Sequence, residues 1–584
     1  MPSLPIFSSI KPAHIVFLWM VFCFFVLSYK LGEVPPYHAD ENFYVESSLN
    51  MVESGDYITP VYHEKKRFAK PILYYWMVVS SYKIFGISLA SARLPSVLFG
   101  TLSIGLIFLL ARRLFDSRVG LISAFILPSI YLHFQISRWA TTDMALSFFV
   151  LLALYFFVLL FQTDFQKNIY AYLFYLSMGL GFMVKGPPAI LIPGLTTLGF
   201  LIATKRKNWF ADLRVGQGLI ILLIIILPWF AAMFWMHGEE FKNHIVGNEI
   251  KNRLVHDTPF SFYYVGVLFR YQLPWSLFFI FASLKQFGFL AFTREKGIGF
   301  SERVKEMAGN IRQHTKQLFK EGNESVAFCY IWILVCLILF TLLRVEHSRY
   351  MLPSCAAVAI LTARLFAGVE KNLKESGAFG FKISIIITLM ILLISSVLTF
   401  AGIFIFDSIP VEFFILPVFL LVGTLSLVCF FWFKSVRGLV FPLTIILILT
   451  MASLSGDVLP YASRYPMKKF AAHINQENFK GPIAVYKLGS NRARLGILTG
   501  RRVVKLRSPE EVEEFFQTRQ KIYLVIKESD WEKDFSILDM KIIKKDQMGR
   551  KTRIKPNEIP GLLDMEKLRG ILNSTETLLF MSNQ

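Results

Sequence analysis

Apolar residues along this chain fall in uncharged runs, and the polar stretches between them are mostly short. A helix needs about 20 such residues to cross a hydrocarbon core of roughly 30 Å. Thirteen runs approach or reach that length, near 13–30, 88–111, 119–136, 143–161, 169–184, 187–204, 216–236, 263–291, 326–343, 350–369, 383–406, 411–433 and 439–456. No water-soluble core hides so many, so the pattern predicts a polytopic α-helical membrane protein. The fifth and sixth runs are separated only by the turn Lys185-Gly186-Pro187. The first follows Lys11 and precedes no small-residue cleavage site, so it reads as a retained span rather than a signal peptide.

After Gly456 the pattern changes. Short apolar strands at Ile483–Leu488, Val503–Leu506 and Ile522–Ile526 alternate with a helical stretch at Pro509–Arg519, for which Ser508 is a ready N-cap. The expectation is a transmembrane domain over 1–456, including a first outer loop at 31–87, and a soluble α/β domain over 457–584.

Composition agrees: 54% of the 584 residues are hydrophobic, against about 45–50% in soluble domains. The five cysteines, Cys23, Cys329, Cys336, Cys355 and Cys429, lie inside apolar runs and read as small hydrophobes. A net charge of +21 could suggest nucleic acid, but no binding motif accompanies it. Lys and Arg instead collect in alternate loops, at Arg112, Arg113 and Arg118, at Lys205, Arg206, Lys207 and Arg214, through 292–325, and at Lys371, Lys374, Lys382, Lys434 and Arg437. That is the cytoplasmic signature. With thirteen spans, the segments 31–87, 137–142, 237–262, 344–349, 407–410, the turn at Lys185 and everything after about 457 then lie outside.

The outer segments have the chemistry. Asp40 and Glu41 follow the first span, and Tyr- and Trp-rich stretches come after them. Arg138 and Asp143 flank the mouth of the fourth span. An acid beside a membrane is either paired or functional. Lys70, Lys185, Arg253 and Arg349 stand in outer loops or at their edges, against the cytoplasmic trend of the basic residues. They are candidates to receive a phosphate; the alternative for each is snorkelling towards lipid head groups.

Several pieces then line up in order: Asp40-Glu41, Ser54-Gly55-Asp56-Tyr57, Lys70-Pro71-Ile72-Leu73-Tyr74-Tyr75-Trp76, Ala92-Arg93-Leu94-Pro95, Thr142-Asp143-Met144, Lys185-Gly186-Pro187 and Arg349-Tyr350-Met351-Leu352-Pro353. In this order the chain resembles the bacterial lipid A aminoarabinose transferases and their relatives, the protein O-mannosyltransferases, best over its first 370 residues. The resemblance implies a GT-C glycosyltransferase of the bacterial inner membrane with its active site facing the periplasm. The donor would be a polyprenyl-phosphate-linked sugar, and the acceptor lipid A or an envelope protein. Asp40 would be the catalytic carboxylate and Asp143 the family's second acid. Glu41, Lys70, Arg138, Lys185, Arg253 and Arg349 would bind substrate.

One departure stands out. Where aminoarabinose transferases carry Glu before Lys-Pro, this chain has Ala69. That Glu resembles a metal ligand paired with a distant His, here His256, and Glu64 lies nearby in the loop. A divalent cation at His256 stays open, and no other cofactor is implied. The alternative to a transferase is a transporter or flippase of lipid-linked sugars. Such folds carry paired repeats and broken helices near the midplane, which this sequence does not display.

Overall fold

The structure is a computed structural model that describes residues 11–34, 36, 39–245, 247, 261–289, 300–318, 323–369, 379–405, 413, 415–432, 436–462, 465–489, 491–517, 520–535, 540–549 and 575–584. The protein is a polytopic helical membrane protein, and among the described residues each of the thirteen apolar runs carries helix. Its first elements are α1 (Pro12–Ser28), α2 (Ala39–Ser54), the hairpin β1 (Val61–Tyr62) and β2 (Lys65–Lys66), and α3 (Leu73–Phe85). They continue with α4 (Leu89–Leu114), α5 (Ser117–Ile126), α6 (Tyr131–Ser137), α7 (Thr142–Gln162), α8 (Asn168–Lys185) and α9 (Pro188–Ala203). Seven described helices are long and apolar enough to cross a membrane, and nine if each bent pair counts as one span.

Those bends correct the reading of 119–136 and 263–291 as continuous spans. The first breaks by 64° between Ser117–Ser129 and Tyr131–Ser137, the second by 112° between Tyr263–Arg270 and Trp275–Gln286. Pro128 and Pro274 stand at the two breaks. Each lacks the N–H that would continue the ladder and crowds the turn before it.

Burial separates lipid-facing helices from central ones. In Val215–Asn243, kinked at Gly238, the apolar window is only 17% buried, and Leu219, Ile220, Leu223, Ile224 and Leu227 stand exposed. In Ser348–Val369 the share is 89%. That segment opens with a 3-10 stretch, Ser348–Ser354, and continues as Cys355–Val369. It is the interior helix, and it carries Arg349. Gly100 explains one close approach: a Cβ there would stand 2.3 Å from Ser137 Oγ, so any larger residue would push α4 off α6.

The carboxyl-terminal region holds a five-stranded sheet in the order β4-β3-β5-β7-β6. Its strands are β3 (Ile483–Tyr486), β4 (Val504–Leu506), β5 (Tyr523–Lys527), β6 (Lys541–Gly549) and β7 (Thr575–Ser582). β3 runs parallel to β4 and β5, and β7 antiparallel to β5 and β6. Every residue of β3 is buried. Ile483 and Val485 join an apolar layer with Phe470 and Phe580, while Ala484 and Tyr486 join another with Val512 and Phe535. A strand covered on both faces reads as a continuous apolar run, which is how β3 and β5 announced themselves. Ser508 caps Pro509–Phe516 by accepting from Glu511 N–H.

Candidate functional site

Asp40 and Glu41 both lie in the first turn of α2, where unpaired N–H groups and the helix dipole favour carboxylates. Adjacent helical residues point about 100° apart, and these two acids go to different partners. Asp40 Oδ2 accepts from Arg349 Nη2 at 2.6 Å. Asp143, in the first turn of α7, accepts from Lys185, and its Oδ2 lies 3.5 Å from Arg349 Nε. Lys185 is the last residue of α8, before Gly186 at φ 99°. A cation is favoured at that end of the dipole, and the glycine lets the chain turn at once into α9.

Two carboxylates and two cations from four separate segments thus form one chain, Asp40–Arg349–Asp143–Lys185. The Lys185 and Arg349 side chains are 8% and 7% exposed and that of Asp143 5%, whereas Asp40 keeps 37%. Asp40 is the accessible end. Tyr350 adds a ring whose centre lies 4.7 Å from Lys185 Nζ.

Glu41 points the other way and is fully buried. Arg93 of α4 grips it with two bonds, Nε to Oε1 at 2.6 Å and Nη2 to Oε2 at 2.9 Å. The same guanidinium donates to the carbonyls of Leu31 and Val34, and Glu41 Oε1 also accepts from Ala140 N–H. This knot ties the outer loop to α4 and to the turn before α7. Arg138 has a comparable task at the end of α1. It donates to the carbonyls of Leu27 and Tyr29, both at 2.7 Å, satisfying acceptors that a helix end leaves orphaned. Lys70 is half-buried and donates to the Ala69 carbonyl at 2.8 Å.

Arg253 and His256 lie outside the described residues. Glu64 is engaged by Arg502 at 2.6 Å. Among the described residues no three His, Cys, Asp or Glu side chains gather in a way that could hold a metal.

Two contributions were not read from the sequence. Arg67 stacks 3.7 Å from the centre of the Phe43 ring and donates to Tyr75 Oη at 3.2 Å, which puts a further cation in the outer loop; its only signal was a charge amid aromatics. The other is a latch from the carboxyl-terminal region. Arg492, in the helix Asn491–Thr499, reaches Glu46 of α2 at 3.2 Å and His63 Nδ1 at 3.1 Å, and Arg494 donates to the carbonyl of Pro36 at 2.6 Å. Ile497 of that helix packs into the apolar cluster of the outer loop with Tyr44, Tyr74 and Tyr75. The helix therefore holds α2 in its middle and just before its start.

Burial, with Arg492, Lys505 and Arg507 nearby, lowers His63 to about 4. An Arg donor also requires a bare Nδ1, so His63 is neutral when latched. The unfolded or released ring binds a proton below about 6.5, so His63 makes the latch lose stability as pH falls from there towards 4. Glu46, raised by burial with Arg492 opposing, acts in the opposite sense above its ordinary value. Protection factors of β1 and Asn491–Thr499, obtained by dividing out the slowing of intrinsic amide exchange towards acid, should therefore fall between pH 6.5 and 4 in the native chain, less steeply where Glu46 opposes His63. His63→Gln should flatten that response; an unchanged profile would remove His63 from the latch.

With the geometry in place, likeness to known proteins can be weighed. The family described as dolichyl-phosphate-mannose-protein mannosyltransferase matches residues 69–231, a stretch holding Lys70, Arg93, Asp143 and Lys185. The undecaprenyl phosphate-α-4-amino-4-deoxy-L-arabinose arabinosyl transferase 2 of Pseudomonas fluorescens is 28% identical over 372 residues, 61% of this chain and 60% of the relative. An uncharacterized protein of Aquifex aeolicus is 26% identical over 337 residues, 57% of this chain and 60% of that one. The matched region thus spans about 60% of the length of these curated relatives. The crystal structure of ArnT from Cupriavidus metallidurans bound to undecaprenyl phosphate superposes with a TM-score of 0.69 at 17% identity, covering 97% of both chains. The chain has the fold of ArnT along nearly its whole length, and in sequence it resembles the GT-C glycosyltransferases of the aminoarabinose transferase type.

Proposed function

We propose that this protein is an inverting glycosyltransferase of the bacterial inner membrane. It takes a sugar, in the reading best supported an aminoarabinose, from a polyprenyl-phosphate donor and places it on lipid A or another envelope acceptor at the periplasmic face. The observation that carries the proposal is the chain of charges Asp40–Arg349–Asp143–Lys185, gathered where α7 begins and α8 ends. On this reading residues 1–456 form the catalytic membrane domain and 457–584 a periplasmic domain latched over the outer loop.

The acceptor oxygen attacks the anomeric carbon as the bond from that carbon to the phosphate oxygen breaks, and the configuration inverts. The four groups sum to zero charge, and each of the two cations faces a carboxylate. A donor phosphate competes with Asp40 for the Arg349 fork. Lys185 and Arg349 are the cations for the leaving group, which becomes a phosphate monoester of about −1.5 to −2. Where the acceptor is a hydroxyl, its proton goes to Asp40. The carboxyl is then neutral and gives up Arg349 as the phosphate gains charge. Where the acceptor is already a phosphate anion, no base is required, and Asp40 orients it and balances charge. Glu41 and Arg138 act through the framework: Glu41 fixes the phase of α2, and Arg138 closes α1.

Purified protein given polyprenyl-phosphate-linked aminoarabinose and lipid A should add one sugar to lipid A, with one polyprenyl phosphate released per transfer, as read by mass spectrometry. Movement of intact lipid-linked sugar across a vesicle, with no transfer to lipid A or to envelope protein, would establish the flippase instead.

A further inference from the structure

Arg67 closes the hairpin of β1 and β2: its N–H donates to the carbonyl of Pro60 at 2.8 Å. Its side chain is pinned twice more. The guanidinium lies 3.7 Å from the centre of the Phe43 ring, and Nε donates to Tyr75 Oη at 3.2 Å. Phe43 is itself braced edge-on by Tyr62 of β1, with ring centres 4.7 Å apart. With Nε engaged and one face over a ring, this guanidinium meets a ligand through the edge that carries its two Nη groups. A planar fork held in this way suits the oxygens of a phosphate.

Phe43 and Tyr44 stand three and four residues after Asp40 in α2, so all three share one helix face. Arg67 is thereby set about one helical turn from the accessible carboxylate. Against the cost of burial, Asp40 is accordingly among the groups that favour its charge. Tyr44 and Tyr75, 3% and 0% exposed, have ring centres 5.1 Å apart. Tyr44 Oη lies 3.5 Å from Thr142 Oγ1, the neighbour of Asp143. One wall of the outer loop, Phe43–Arg67–Tyr75–Tyr44, runs beside Asp40 to the start of α7.

We propose that Arg67 receives the anionic group of the acceptor, a phosphate, and seats it beside Asp40. The assignment rests on the transferase reading and adds the acceptor's side of the same site. Inversion requires the acceptor to enter opposite the departing phosphate. Lys185 and Arg349 take that phosphate at the ends of membrane helices, whereas Arg67 belongs to the outer loop. A carboxylate on the entry face repels an anionic acceptor, and a fixed cation about one helical turn away offsets that repulsion. The donor phosphate has the same chemistry, so the test must separate the two.

Binding to the full-length protein in detergent is measured for three probes: lipid A, lipid A stripped of its phosphates, and polyprenyl phosphate. The native chain should prefer lipid A to its dephosphorylated form. Arg67→Gln should weaken lipid A binding about tenfold or more and remove most of that preference. Its affinity for polyprenyl phosphate should stay within about twofold of the native value. Arg67→Lys, which keeps the charge and loses the fork, should fall between. Equal native binding of the two forms of lipid A would overturn the proposal, as would unchanged lipid A affinity in Arg67→Gln. So would loss of polyprenyl phosphate alone, which would move Arg67 to the donor side, or an equal loss of all three probes, which would make it a packing residue. A native chain that binds as expected yet transfers no sugar would strike the function proposed above and leave the assignment of Arg67 standing.

Discussion

Replacing Asp40 by Asn is expected to lower sugar transfer by about 10²–10⁴-fold, the range that a positioned proton acceptor supplies, while the protein stays inserted and folded. Asn keeps the size of the side chain and still accepts from Arg349, which retains Asp143 on its other edge. Asp40 is also the only one of the four charged groups with substantial exposure, so its neutralisation strands little charge in a dry site. The measurement is the initial rate with a hydroxyl acceptor at saturating donor, beside a melting curve. Transfer near the native rate would remove Asp40 from the chemistry. Against an acceptor that is already an anion, the loss should shrink to the orienting part. Asp143→Asn is a different experiment. It leaves Lys185 and Arg349 facing each other without their shared buried counter-charge, and yield should fall along with activity.

The largest effect on stability is expected at Arg93. Arg93→Leu leaves Glu41 fully buried with only the Ala140 N–H beside it, and releases two carbonyls in the same step. Breaking a buried ion pair from one side costs about 3–5 kcal/mol, a large fraction of the margin of most folds. The observable is the thermal midpoint in detergent, with the fraction of protein that survives extraction. Glu41→Leu added to Arg93→Leu removes the stranded charge and should recover part of the loss, but not all of it, since Leu31, Val34 and Ala140 still lack their partners. A single variant as stable as the native chain would mean that the knot carries no weight in the fold.

The sequence shows the helices and the dry acids, and much less of who holds whom. Runs of apolar residues translate directly into helices because a bilayer leaves the backbone no other partner than itself. Bends at Pro128 and Pro274 were there to be read, but proline is tolerated inside many membrane helices, so its presence does not announce a break. Asp40 and Glu41 are neighbours with the same chemistry. Only the phase of α2 sends one to Arg349 and the other to Arg93, and that phase is held jointly by the Glu41–Arg93 pair and by packing on α3, β1 and Asn491–Thr499. Arg93 lay in view inside Ala92-Arg93-Leu94-Pro95, yet a charge near a span end reads equally well as snorkelling. The short strands β3, β4 and β5 were legible from their apolar runs. β6 was not, being rich in Lys and paired along one edge by β7 alone. Arg492 and Arg494 carry no local mark at all, because their partners lie more than four hundred residues away.

That separation bears on how the protein is made. Pro36 and Arg494 are 458 positions apart. At about 5–20 residues per second, the ribosome finishes the outer loop roughly 20–90 s before it reaches the arginine that will hold it. Throughout that interval the loop is outside and its partner does not yet exist. A chain cut short anywhere before the last region would insert its spans and still lack the clasp on α2. On the function proposed above, activity is then expected to depend on completed synthesis and export, so that a stalled or clipped product would be silent rather than unregulated.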